Sequence, residues 1–241
     1  RWKADIRVNF DSGVAKQSSP TVASDDGTTT YFAWSDSRRG DTAIYLQACD
    51  LMGNKLWMTD IRASSDEGTA SQISPALAVG DGGIFIAWGD YRTTDFDIYL
   101  QRIDVDGNKL WGDDVRVNDS SIMPYYPEGP TLAAEGGGGV FVVWQQKNWG
   151  SGDAGDICAQ RLDSSGNKLW AEDVRINSDI GNTHQHQPAL VVDECGNAIV
   201  VWSDYRSENI YQIYAQKLDG SGSRLWKPDV RVNAEEPSDY D

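Results

Sequence analysis

The sequence predicts an all-β protein of four repeated sheets, and three observations carry that expectation. A unit of about 55 residues recurs, its marker tryptophans falling 55, 54, 59 and 56 residues apart. The acidic residues are mostly Asp, 29 against 8 Glu, and Asp favours turns where Glu favours helix interiors. Ten Trp and ten Tyr against three Met add the aromatic enrichment of strands.

The marker appears first as Trp2-Lys-Ala-Asp-Ile-Arg-Val-Asn9 and returns as Leu56-Trp57-Met-Thr-Asp-Ile-Arg62. It recurs at Leu110–Asn118, at Leu169–Asn177 and last as Leu225-Trp226-Lys-Pro-Asp-Val-Arg-Val-Asn233. Between copies, each unit reads as four short strands. In the second unit Ala76–Val79 is small-residued, as suits a strand crowded near an axis. Asp81-Gly82-Gly83 then supplies a tight turn. Ile84–Trp88 is apolar on both faces and belongs in a packed interior. Ile98–Ile103 follows, closed by the hairpin turn Asp104-Val-Asp-Gly-Asn108. Asp114-Val-Arg-Val-Asn118 alternates polar and apolar residues, the pattern of a half-exposed outer strand. No stretch carries a helical period. A four-stranded antiparallel meander repeated radially is a β-propeller blade, so the expectation is a four-bladed β-propeller over residues 1–234, with 235–241 an acidic tail or linker.

Four units carry five copies of the Asp-x-Arg-x-Asn strand, which leaves one surplus terminal strand. Asp5, Ile6, Arg7, Val8 and Asn9 compete with Asp229, Val230, Arg231, Val232 and Asn233 for one place. Three readings stay open: a fifth strand on one blade, a piece of a longer array, or head-to-tail self-assembly by strand addition.

Composition narrows the partners. A net charge of −16 and a pI near 4.4 exclude unaided binding to nucleic acid. Apolar runs of about five residues exclude membrane insertion by a helix. Cys49, Cys158 and Cys195 form no disulfide framework. The Lys-poor acidic surface fits an extracellular or cell-surface protein, and a start at Arg1 reads as a processed or trimmed form.

The Pro-x-Leu-Ala…Ala-Trp-x-Asp-x-Arg…Asp-Ile-Tyr-x-Gln…Gly-Asn-x-Leu-Trp pattern resembles propeller repeats of secreted and cell-surface bacterial proteins, and loosely those of sialidases. The resemblance runs from Trp2 to Asn233 and implies architecture; it does not carry a catalytic constellation. Asp36/Arg38, Asp90/Arg92 and Asp204/Arg206 hold one repeated position. They read as loop-ordering ion pairs, because arginines on separate blades stand about 15 Å or more apart and cannot converge on one carboxylate as in a sialidase.

Candidate ligand contacts lie on the rim that holds the loops after the repeated Ala-Trp, called here the upper rim. They are Tyr91 and Arg92, the lengthened connection at Tyr125 and Tyr126, and the inserted amides and Trp at Gln146, Asn148 and Trp149. The fourth unit adds His184, His186, Tyr205 and Arg206. Aromatics beside amides suit sugar rings or a peptide. No metal ligand set emerges, since His184 and His186 lack a third partner. No cofactor is expected; Asp104-Val-Asp106-Gly-Asn108 resembles the start of a calcium loop and leaves calcium as the one open case. Asn118-Asp-Ser120 is a glycosylation sequon. The resulting expectation is a secreted, non-enzymatic module that binds glycan or protein or assembles with itself. The alternative is a glycoside hydrolase or sialidase-like enzyme whose carboxylate pair is hidden among the aspartates.

Overall fold

A computed structural model describes residues 5–25, 27–93, 96–119, 125–148, 155–179, 183–207 and 210–233, with side chains for all but 125–128, 148 and 207. The described residues form four antiparallel sheets and no helix. The first sheet holds β1(Gln17–Ser24), β2(Thr29–Asp36), β3(Ala43–Asp50) and β4(Ile61–Arg62) in chain order. The second holds β5(Gln72–Gly80), β6(Gly83–Asp90), β7(Asp97–Ile103) and β8(Val115–Arg116). The third holds β9(Tyr125–Ala134), β10(Val140–Asn148), β11(Gly155–Leu162) and β12(Val174–Arg175). The fourth holds β13(Gln185–Val192), β14(Ala198–Ser207), β15(Ile210–Leu218) and β16(Val230–Arg231). Four such meanders are the four blades that the repeat predicts.

Register repeats with sequence. Trp34 lies opposite Tyr45, Trp88 opposite Tyr99, Trp144 opposite Cys158 and Trp202 opposite Tyr214. Period-two alternation sends Ile84, Ile86 and Trp88 to one face of β6, where they join Ile44, Leu46 and Trp57 of the first sheet. Phe85 and Ala87 leave the other face and meet Val140, Val142 and Trp144 of the third sheet. That double burial is why β6 reads as continuously apolar. A third cluster joins Phe141, Val143 and Trp170 to Val200 and Trp202 of the fourth sheet. Among the described residues no apolar cluster joins the fourth sheet to the first.

A buried amide locks each outer loop to its sheet. Gln101, on β7, donates through Nε2 to Trp111 O and Asp114 Oδ1, and its Oε1 accepts from Trp111 N–H. Gln47, Gln160 and Gln216 repeat the arrangement with Trp57, Trp170 and Trp226. Three of these locked Trp then reach across to the next blade: Trp57 Nε1 donates to Val105 O, Trp111 Nε1 to Ser164 O and Trp170 Nε1 to Gly220 O. The hairpin glycine lies under that ring. A Cβ on Gly166 would stand 3.2 Å from Trp111, and its φ of +84° is one that side chains rarely adopt. The Asp-x-x-Gly-Asn turn is therefore a docking surface as well as a turn.

Two expectations need correction. The inner strands are longer than the sequence suggests: β5 runs over nine residues rather than Ala76–Val79. Each inner strand crosses a bulge just before its proline, with Ser19, Ser74, Gly129 and Gln187 at positive φ between 51° and 58°. The fourth strands are shorter, two residues each: an Ile/Val-Arg pair forms the ladder, and the next residue adds one further N–H bond to the third strand. Asp229–Asn233 supplies β16, whereas Asp5–Asn9 pairs with no strand among the described residues. It lies instead against the first sheet, with Val8 packed on Phe32, Trp34 and Tyr45.

Candidate functional site

The repeated Asp and Arg are engaged within the scaffold. Asp90 Oδ2 accepts from Trp88 Nε1 at 2.8 Å and from Arg92 Nη2 at 2.6 Å, while Oδ1 accepts the Arg92 N–H. The same Nη2 reaches Asp114 Oδ2 at 2.9 Å, and the guanidinium stacks 3.9 Å from the Tyr99 ring centroid. Arg38 joins Asp36 to Asp60 over Tyr45, and Arg206 joins Asp204 to Asp229 over Tyr214. Burial alone would lower these arginine pKa values, but the paired carboxylates hold all three above the ordinary value. Burial likewise works against ionised Asp36, yet the bonds from Arg38 and Trp34 keep its pKa below the usual carboxylate range. Each arginine ties the rim loop of its blade to the fourth strand. Arg92 and Arg206, expected among the ligand contacts, are held in these ties.

The third unit breaks this rule. Gln146 replaces the aspartate and accepts from Trp144 Nε1 at 2.7 Å, and Asn148 falls at the arginine position. Asp173, the counterpart of Asp114, is consequently left with no such arginine, and burial pushes its carboxyl pKa up. A carboxylate with a raised folded-state pKa destabilises the protein once ionised, and the penalty grows as pH rises above the unfolded value. Asp173→Asn is therefore expected to raise the melting temperature at neutral pH. The gain over wild type should shrink towards zero as the pH falls below the carboxylate range, which thermal scans across pH would read.

The rim carries one broad cleft between the second, third and fourth sheets. Its volume is about 380 Å³, and its walls are Ile73, Ser74, Tyr91, Phe96, Gly129, Gln145, Gln187 and Pro188. Three of the four inner-strand bulges contribute, so the bend that sequence reading missed is what shapes the mouth. Tyr91 and Phe96 form a tilted pair with centroids 4.7 Å apart, and Tyr91 is 46% exposed. Gln145 and Gln187 line the same cleft.

Of the expected contacts whose side chains are described, Tyr91 lines the cleft, and Arg92, Gln146, His184, His186, Tyr205 and Arg206 do not. His184, Tyr205, Tyr211 and His186 form a second aromatic group on the fourth sheet, with Tyr205 and Tyr211 4.9 Å apart in the places of Tyr91 and Phe96. His186 Nε2 is buried without a partner among the described residues, and burial, with His184 and Lys147 nearby, lowers its pKa. Tyr125 and Tyr126 fall on β9 opposite Asn148 and Lys147; Trp149 lies outside the described residues. The calcium-like turn is taken up internally, as Asp104 accepts from Asp106 N, Asn108 N and Asn108 Nδ2. The sequon asparagine is buried, accepting from Ile98 N and donating to Asp97.

By sequence the chain matches no protein-family model and no curated protein. Solved structures share its fold. An α-L-arabinanase of Penicillium chrysogenum superposes with a TM-score of 0.63 at 14% identity, over 88% of this chain and 65% of the arabinanase. A sialidase of Trypanosoma rangeli gives 0.58 at 12% identity, over 88% and 38% of the two chains. A family 117 glycoside hydrolase of Zobellia galactanivorans gives 0.55 at 11% identity, over 91% and 74%. The chain thus spans about two thirds of the arabinanase it resembles. At these identities the likeness establishes the propeller fold. It also corrects the expectation of a non-enzymatic module, which these neighbours do not support: the three are named an arabinanase, a glycoside hydrolase and a sialidase.

Proposed function

We propose that this chain is a propeller of the glycoside hydrolase type that takes a sugar chain into the cleft between its second, third and fourth blades. The cleft's lining is the observation that carries the reading: a pair of aromatic rings together with two glutamines, in a fold shared with an arabinanase and a family 117 glycoside hydrolase. Aromatic faces bind the apolar side of a pyranose or furanose ring, while amides match its hydroxyls as both donor and acceptor. Glu128 is the one acidic residue in the four inner strands, and its neighbour Gly129 forms part of the cleft wall. Glu128 is assigned as the acid–base carboxyl that protonates the leaving oxygen. The candidates for its partner carboxylate are Asp179 and Asp156, which in this structure accepts from Asn177 Nδ2. A glycan partner and a place outside the cell follow from that substrate class and from the acidic surface.

The test is reducing-end release from arabinan, xylan and a sialylated glycan by wild-type protein and by Glu128→Gln, with Asp156→Asn and Asp179→Asn in parallel. One substrate is expected to be cleaved, and Glu128→Gln should slow that cleavage by at least about 100-fold at unchanged melting temperature. No cleavage of any polysaccharide, or cleavage indifferent to Glu128, overturns the assignment.

A further inference from the structure

We propose that the open side of this array receives one more sheet of the same repeat: a three-stranded unit that adopts residues 5–9 as its fourth strand.

The segment after Arg7 is docked on the first blade by the bonds that dock each blade's outer strand on the next. Phe10 N–H donates to both carboxylate oxygens of Asp60, at 3.1 and 2.9 Å. One blade further on, Ser65 N–H donates to Asp114; beyond it Asp119 N–H donates to Asp173, and Ser178 N–H to Asp229. Lys55 Nζ donates to Asn9 O just as Lys109 Nζ donates to Ser64 O. Residues 5–10 therefore stand where the outer strand of a preceding blade stands, in the correct register.

What that strand lacks is its own sheet. In the four complete blades the equivalent N–H groups of Ala63, Val117, Ile176 and Val232 donate to the third strand, at Ile44 O, Ile98 O, Ile157 O and Ile213 O. Val8 N–H has no such acceptor among the described residues. Asn118, Asn177 and Asn233 accept a third-strand N–H through Oδ1, whereas Asn9 Oδ1 accepts from Arg7 instead. A cavity of about 240 Å³ remains between the segment and the first sheet, walled by Val8, Pro20, Phe32 and Trp34.

The fourth sheet presents the matching face. Val232 is 58% exposed where its counterpart Val117 is 0% exposed, and Val191 is 60% exposed where Ala78 is 8% exposed. Trp226 Nε1 has no acceptor among the described residues, although Trp57, Trp111 and Trp170 each donate to the hairpin turn of the following blade. These are the groups that three internal interfaces bury, so their continuation names the occupant as the same kind of sheet. A second copy of the chain fits less well. Its fourth sheet already owns a fourth strand at Val230–Arg231, which would need the place that residues 5–9 hold.

The test appends a copy of residues 178–218, the connection and first three strands of the fourth unit, after Asn233. The extended chain is expected to sediment as a monomer, to melt at a higher temperature, and to slow amide exchange at Val8 more than about tenfold, since that N–H gains a ladder acceptor. Unchanged melting and unchanged exchange at Val8 overturn the proposal. The unmodified chain is expected to be monomeric at micromolar concentration. A dimer that Val232→Asp dissociates would make a second copy the occupant and overturn the proposal equally.

Discussion

Arg92→Ala is expected to destabilise the protein by about 3–5 kcal/mol, the cost of removing one partner from a buried charge cluster. The carboxylates of Asp90 and Asp114 are both fully buried, and the single guanidinium stands between them. Without it two like charges are left facing each other in a site that water does not reach. Trp88 Nε1 and Gln72 Nε2 still donate to Asp90, so that carboxylate keeps neutral donors and loses only its cation. Arg92→Lys should recover only part of the loss, because one ammonium cannot both bridge the two carboxylates and stack on Tyr99. Since domains of this kind retain about 5–15 kcal/mol in total, denaturant melts at neutral pH will read the effect directly.

Trp111→Ala and Trp226→Ala, chemically the same change at the same repeat position, are expected to differ by a wide margin. Trp111 is buried against Phe85 and donates to Ser164 O across the interface between the second and third blades. Its removal should cost about 3–5 kcal/mol, the usual price of deleting a packed Trp. Trp226 is half-buried on the open face and donates to no described residue, so its removal should cost about 1–2 kcal/mol. Equal losses in urea melts would mean that something already covers the fourth blade's face. The contrast follows from interblade packing, because the intrablade lock through Gln101 and Gln216 is the same in both.

The scaffold was legible because its chemistry recurs. Trp-x-Asp-x-Arg marks a rim tie wherever it occurs, and the glycine of Asp-x-x-Gly-Asn is required by both its φ and the Trp beneath it. The inner strands were less legible. Ser-Pro and Gln-Pro read as ordinary strand starts, since the residue before proline favours extended backbone, yet Ser19, Ser74 and Gln187 adopt left-handed φ at the bulge. The four X-Pro pairs at one repeat position were the available signal. The cleft was harder still. Ile73, Phe96, Gly129 and Gln187 come from three units and meet only through the curvature of the array, which no local pattern encodes. Among the rim aromatics, the exposure of Tyr91 follows from its place beside the Asp–Arg tie. Arg92 reads in sequence as the partner of Asp90, and the structure adds Asp114, 22 residues away, which no local pattern shows.

The repeated charges build the scaffold, and the proposed function places sugar binding in the cleft beside Tyr91. Turnover of the cleaved polysaccharide by Tyr91→Ala tests this most directly. We expect kcat/KM to fall by about tenfold or more while the melting temperature moves by no more than about 2 °C, since the ring is exposed and its loss leaves the Asp–Arg tie intact. Wild-type turnover in Tyr91→Ala would contradict the account.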